Sequence, residues 1–184
     1  DVTGSMSSSK IVDLKLATKD LVDVLIPDEP TGQKIRIGLA PYAAGVNAGP
    51  LAFAVNGGRA SNGCVYERTL DNWQASDVAP AGTASLKIQS DLPGSQSCPG
   101  ARVLGLTDDK SQLKGTVDRF SAGGTTAGHL GTAWAWYLIS PEWGGIFSGA
   151  SAPASYNDGK TIKVAILMTD GEYNTVGGVM SGAD

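Results

Sequence analysis

A chain of 184 residues, 41% hydrophobic and 17% charged, suits one globular domain with a sizeable core and excludes an intrinsically disordered segment. Eighteen acidic against fourteen basic side chains give a net charge of −4, which argues against a nucleic-acid partner. No apolar run is long enough to span a bilayer, so any membrane attachment is expected through a segment outside these residues. No signal peptide is seen and the first residue is Asp1 rather than Met, so a fragment or processed product is expected.

The chain opens on Asp1-Val2-Thr3-Gly4-Ser5-Met6-Ser7-Ser8-Ser9-Lys10. One carboxylate and two hydroxyls stand at alternate positions, Asp1, Thr3 and Ser5. Such oxygens are hard donors of the kind Mg²⁺, Mn²⁺ and Ca²⁺ select. Read alone, the stretch equally suits a flexible terminus or a helix N-cap. Residues 7–26 then predict a helix, with Ile11, Leu14, Thr18, Leu21 and Leu25 at three- and four-residue steps. Ser7 to Ser9 offer capping hydroxyls and Pro27 stops it. In Gln33–Tyr42, Ile35, Ile37 and Leu39 alternate with Lys34, Arg36 and Gly38, the period of a strand.

From about 43 to 102 the periodicity fades into Gly, Pro, Asn and Ser, and the stretch predicts a decorated insertion with short strands at Leu51–Val55 and Val65–Thr69. Cys64 and Cys98 lie in polar surroundings within it, Ser61-Asn62-Gly63-Cys64 and Ser95-Gln96-Ser97-Cys98-Pro99-Gly100. Buried structural thiols favour apolar runs, so a disulfide clipping the insertion is the preferred reading over two free thiols. It implies an oxidising compartment: periplasm, cell surface or outside. Two cysteines without a paired C-x-x-C are poor evidence for zinc.

Val103–Thr107 leads into a helix over Asp108–Phe120, with Thr107 as cap and Leu113, Val117 and Phe120 as its apolar stripe. Gly123-Gly124-Thr125-Thr126 breaks the chain and offers a further hydroxyl. A second helix follows from about Ala127 to Ile139, with Leu130, Trp134 and Leu138 on one face. Its aromatic residues, with Trp143, read as core and insertion packing rather than as a binding surface, and the only histidine, His129, reads as structural or surface rather than catalytic or metal-binding. Ser148–Gly159 is a small-residue loop. Ile162–Met168 is a continuous apolar run, the pattern of a strand buried on both faces of a parallel sheet, and ends at Thr169-Asp170-Gly171-Glu172.

D-x-T-x-S, then G-G-T, then an apolar run ending in T-D-G, in that order, resemble the metal-ion-dependent adhesion site of the von Willebrand factor A (VWA) family, over Asp1 to about Thr175. The Arg36–Tyr42 strand, Cys64-Val65-Tyr66-Glu67-Arg68, His129-Leu130-Gly131, Trp134–Leu138 and Leu167–Thr175 are similar to the TadE/TadG-like VWA proteins of bacterial tight-adherence (Tad) pilus systems. The resemblance implies an α/β fold: an open, mostly parallel, Rossmann-like sheet flanked by helices, as a single partial domain over 1–184. It also implies that the sheet lacks its first strand, which should run into Asp1, and its C-terminal units. An incompletely known or trimmed chain is the preferred account, against a strand supplied by a neighbour.

Carried over by residue, the resemblance implies a metal site of Asp1, Thr3, Ser5, Thr125 and Asp170. Mg²⁺, or Mn²⁺ or Ca²⁺, would be bound directly by the hydroxyls and through water by the aspartates. An acidic side chain of a protein partner, such as a pilus or envelope component, would complete the coordination. The expected function is therefore metal-dependent adhesion or assembly, with a scaffold whose metal only ties loops together as the alternative. An enzyme is not expected: D-x-T-G-S is superficially similar to the D-K-T-G-T loop of P-type ATPases, but Val2 replaces the Lys, and G-G-T has no place in that scheme.

Overall fold

The computed structural model describes residues 1–28, 34–68, 75–92, 98–171, 173–176 and 179–180. Gln33, Thr69, the segment 95–97 and Glu172, all used in the sequence reading, lie outside the described residues.

The first helix, α1, spans Ser9–Leu25 and buries Leu14, Thr18 and Val22, the stripe its periodicity predicts. Thr18 sits on that stripe because its hydroxyl is satisfied internally, donating to the Leu14 carbonyl at 2.7 Å. The predicted serine caps do not form: Ser8 is the capping position but makes no side-chain cap bond. β1 is Ile37–Leu39, shorter than the predicted strand. β2 (Val46–Asn47) pairs antiparallel with β3 (Cys64–Val65). Between them lies α2, Ala52–Val55, preceded by a 3₁₀ turn at Gly49–Leu51. The strand predicted at 51–55 is thus helical: Ala52 and Val55, three apart, are the residues buried on one side of it.

β4 (Leu104–Thr107) pairs antiparallel with β1, Ile37 opposite Thr107 and Leu39 opposite Leu104, with an irregularity between. α3 spans Lys110–Asp118, and its cap is Asp109, not Thr107: the Asp109 carboxylate accepts from the Gln112 amide at 2.9 Å. α3 buries Leu113, Thr116 and Val117 and packs on α1, where Val117 shares a cluster with Leu14. Ion pairs rim that contact, Lys114 to Asp23 at 2.7 Å and Lys110 to Asp28 at 2.7 Å. α4 spans Gly128–Ile139 and is apolar around most of its circumference, as a helix enclosed by its neighbours must be. β5 (Thr175–Val176) and β6 (Val179–Met180) form a third short antiparallel pair.

The open, mostly parallel, Rossmann-like sheet is therefore not the observed fold. Among the described residues there are four α-helices and three two-stranded antiparallel sheets. Ile162–Met168 carries the discrepancy. It is in no strand, and Ile162 and Val164 are 89% and 67% exposed. An apolar run becomes a strand only when another strand accepts its hydrogen bonds. Here it borders an open groove of about 1180 Å³, lined also by residues 34–42 and by side chains of α1 such as Leu14, Thr18 and Leu21.

Among the described residues, packing falls into two clusters. One surrounds α4, where Trp134, Trp143, Tyr137, Val46 and Leu86 are buried. The Gly131 backbone lies so close to Tyr42 that a Cβ would meet the ring at 2.2 Å, which explains a glycine inside this helix. The other cluster joins Val2 and Met6 to Leu14 of α1 and to Val117 and Phe120 at the end of α3, and so fixes the start of the chain.

Cys64 and Cys98 form a disulfide, closing a loop of sequence separation 34 onto the β2–β3 pair. Reducing it is expected to lower stability by about 3–4 kcal/mol on the loop-entropy account. Urea unfolding with and without reductant measures this, and coincident midpoints would refute it.

Asp158 accepts hydrogen bonds from the Lys160 and Thr161 amides at 2.9 and 2.8 Å and from the Thr161 hydroxyl. The Thr161 hydroxyl, then the two amides, lower the Asp158 carboxyl to about 2. A carboxyl depressed by folding contributes stability above its unfolded value and loses that contribution as pH falls through the folded one. NMR titration of Asp158 should therefore give a midpoint near 2, and Thr161→Val should raise it. An unmoved midpoint would show that the hydroxyl bond is not formed.

Candidate metal centre

The start of the chain, which runs into a 3₁₀ turn at Gly4–Met6, is held by backbone hydrogen bonds on both sides. The Asp1 nitrogen donates to the Met168 carbonyl at 2.9 Å, and the Val2 amide to Tyr42 at 3.0 Å. The 123–124 loop closes over the same stretch: Gly123 donates to Val2 at 3.0 Å, and Gly4 to Gly124 at 2.8 Å. Gly124 adopts φ +80°, a left-handed conformation that favours glycine and lets the loop turn here. The start of the chain, the 123–124 loop and the residues around Met168 thus converge on one point.

The side chains converge with them. Asp1 is used twice, accepting from the Thr3 amide at 2.9 Å and from the Thr169 hydroxyl at 2.8 Å. The Ser5 hydroxyl donates to Asp170 at 2.8 Å, and the Thr3 and Ser5 hydroxyls lie 2.9 Å apart. With the Ser5 proton committed to Asp170, Thr3 must donate to Ser5. The second Asp170 oxygen accepts from the Lys10 ammonium. Lys10 and then Ser5 hold the Asp170 carboxyl below the usual carboxylate range.

Four of the five sequence-predicted residues, Asp1, Thr3, Ser5 and Asp170, thus join one hydrogen-bonded cluster. Thr125 is carried beside it on the 123–126 loop, and its hydroxyl oxygen is buried without a hydrogen-bond partner among the described residues. A buried orphan hydroxyl is costly unless something absent from the structure uses it. Among the described residues no three His, Cys, Asp or Glu side chains gather, so the donors on offer are two carboxylates and hydroxyls. That all-oxygen set and the orphan on Thr125 fit a hard divalent cation rather than zinc.

The sequence reading missed three contributors. Asn174 clamps the loop: its side chain accepts from the Thr126 amide at 2.8 Å, and its amide donates to Thr126 at 3.0 Å. Thr169 orients Asp1. Lys10 neutralises Asp170; its signal was a cation in the first turn of a helix, where the dipole disfavours positive charge. Ser8, between Ser5 and Lys10, has φ +65° and ψ −130°, a strained conformation for a non-glycine residue that costs on the order of 1–3 kcal/mol. His129 instead faces Glu67, 3.3 Å away.

Comparison of the chain with family models, with curated proteins and with solved structures finds no match. Among the described residues, no helix is long and apolar enough to cross a membrane.

Proposed function

We propose that this protein is a metal-dependent protein-binding module of a bacterial envelope or pilus-associated assembly, with a site like the adhesion site of VWA proteins. The observation that carries the reading is the Thr3–Ser5–Asp170 hydroxyl–carboxylate chain beside the orphaned Thr125 hydroxyl. Ser5, Thr3 and Thr125 would hold Mg²⁺, or Mn²⁺ or Ca²⁺, with Asp1 and Asp170 supporting it through water. A bound dication would supply a strong positive charge able to capture a partner's carboxylate. Asp1 keeps Thr3 in place through its amide, and Asp170 orients the Ser5 hydroxyl. The Cys64–Cys98 disulfide favours a periplasmic, cell-surface or extracellular setting.

The likeness concerns the donor set and its order along the chain, not the sheet. Calorimetric titration of Mg²⁺ and Mn²⁺ into the folded protein tests the reading. Saturable one-site binding supports it, and no binding overturns it in favour of a scaffold whose loops are tied by direct hydrogen bonds.

A further inference from the structure

We propose that Lys10 is the resident cation of this site. Its ammonium occupies Asp170 when no divalent cation is bound and must leave for one to bind, so metal uptake is a cation exchange. The inference rests on the reading of the site given above.

The Asp170 carboxylate accepts from the Ser5 hydroxyl on Oδ1 and from the Lys10 ammonium on Oδ2. Lys10 makes the one ion pair of Asp170 among the described residues. That pair spans 160 positions of sequence and joins the first turn of α1 to the loop after Met168. The helix dipole disfavours a cation in that turn, so Asp170 and not α1 is what holds the ammonium inward. The Lys10 side chain is 54% exposed, against 15% for Asp170. Its flexible stem can therefore carry the charge into water without disturbing the core, while Asp170 stays in place. A dication has the advantage in the exchange because it takes several oxygens at once, whereas the ammonium reaches one carboxylate. Lys10 then sets the threshold concentration: it keeps the site neutralised at low divalent levels and opens Asp170 above them.

The test is calorimetry with Mg²⁺ alone on the parent, Lys10→Met, Lys10→Arg and Lys110→Met. Lys10→Met keeps the stem but removes the competing charge, and should tighten the dissociation constant roughly two- to fivefold, the range for an exposed ion pair. Lys10→Arg keeps the charge and should bind as the parent does. Lys110→Met makes the same charge change at the far end of α1, where Lys110 pairs with Asp23 and Asp28, and should leave the affinity unchanged. Acylation of Lys10 by an amine reagent, read by mass spectrometry, should rise on adding Mg²⁺ to the parent. Equal or weaker affinity in Lys10→Met overturns the exchange. If the parent still binds in that case, the metal site itself stands. If neither parent nor variant binds, both readings fall.

Discussion

Ser5→Ala and Asp170→Ala are each expected to weaken Mg²⁺ binding by on the order of 100-fold or more, since even residues that merely orient a metal ligand are typically worth 10–100-fold. Ser5 combines both roles: its hydroxyl is a proposed ligand and its proton is the link to Asp170. Removing Asp170 strands that proton and frees Lys10 at once. Ser5 is exposed and Asp170 lies outside both packing clusters, so the circular dichroism and melting of the variants should stay near those of the parent. Retained Mg²⁺ affinity in both variants would sink the proposed ligand set. Retained fold without binding separates a lost site from a lost structure.

Trp143→Ala is expected to cost about 3–5 kcal/mol, the range for truncating a buried aromatic. That is a large share of the roughly 5–15 kcal/mol that stabilises an ordinary domain. The indole is fully buried, stacks on Tyr137 at 4.0 Å and 11°, and meets Trp134 edge-on at 5.6 Å. It donates to the Asp77 carbonyl at 3.0 Å, which truncation leaves unpaired. It also forms part of the lining of the buried Arg68 guanidinium, whose central carbon lies 5.7 Å from the Trp143 ring and 5.2 Å from Tyr137. Urea unfolding should show a lower midpoint at an unchanged slope. A loss below about 1 kcal/mol, the level of ordinary surface changes, would mean that this aromatic cluster is not the core of the molecule.

Helices were legible wherever a long amphipathic period met a clear stop, as in α1 before Pro27 and in α3, where Leu113 and Val117, and Phe120 just past its end, are buried as the pattern requires. The core assignment of Trp134 and Trp143 was legible for the same reason. Short apolar runs were not. Leu51–Val55 reads as a strand and folds as a helix, because five residues carry too little periodicity to separate the two. Ile162–Met168 has the composition of a buried strand, but composition cannot supply the neighbour that makes it one. It therefore lies open beside the groove, and among the described residues the expected parallel sheet is absent.

At the candidate site, the residue types and their order were written in the sequence: a carboxylate and hydroxyls at Asp1, Thr3 and Ser5, a glycine turn before Thr125, and an aspartate at 170. Oxygen chemistry, which depends on residue type alone, was settled there. Only the tertiary structure decided which oxygens meet. Bonds from Asp1 and Val2 to Met168 and Tyr42, and from Gly4 to the 123–124 loop, carry those donors to one place. The same structure showed that Lys10 holds Asp170 and that the Thr125 hydroxyl has no partner among the described residues, because pairing across 160 positions depends on distance in space and not along the chain.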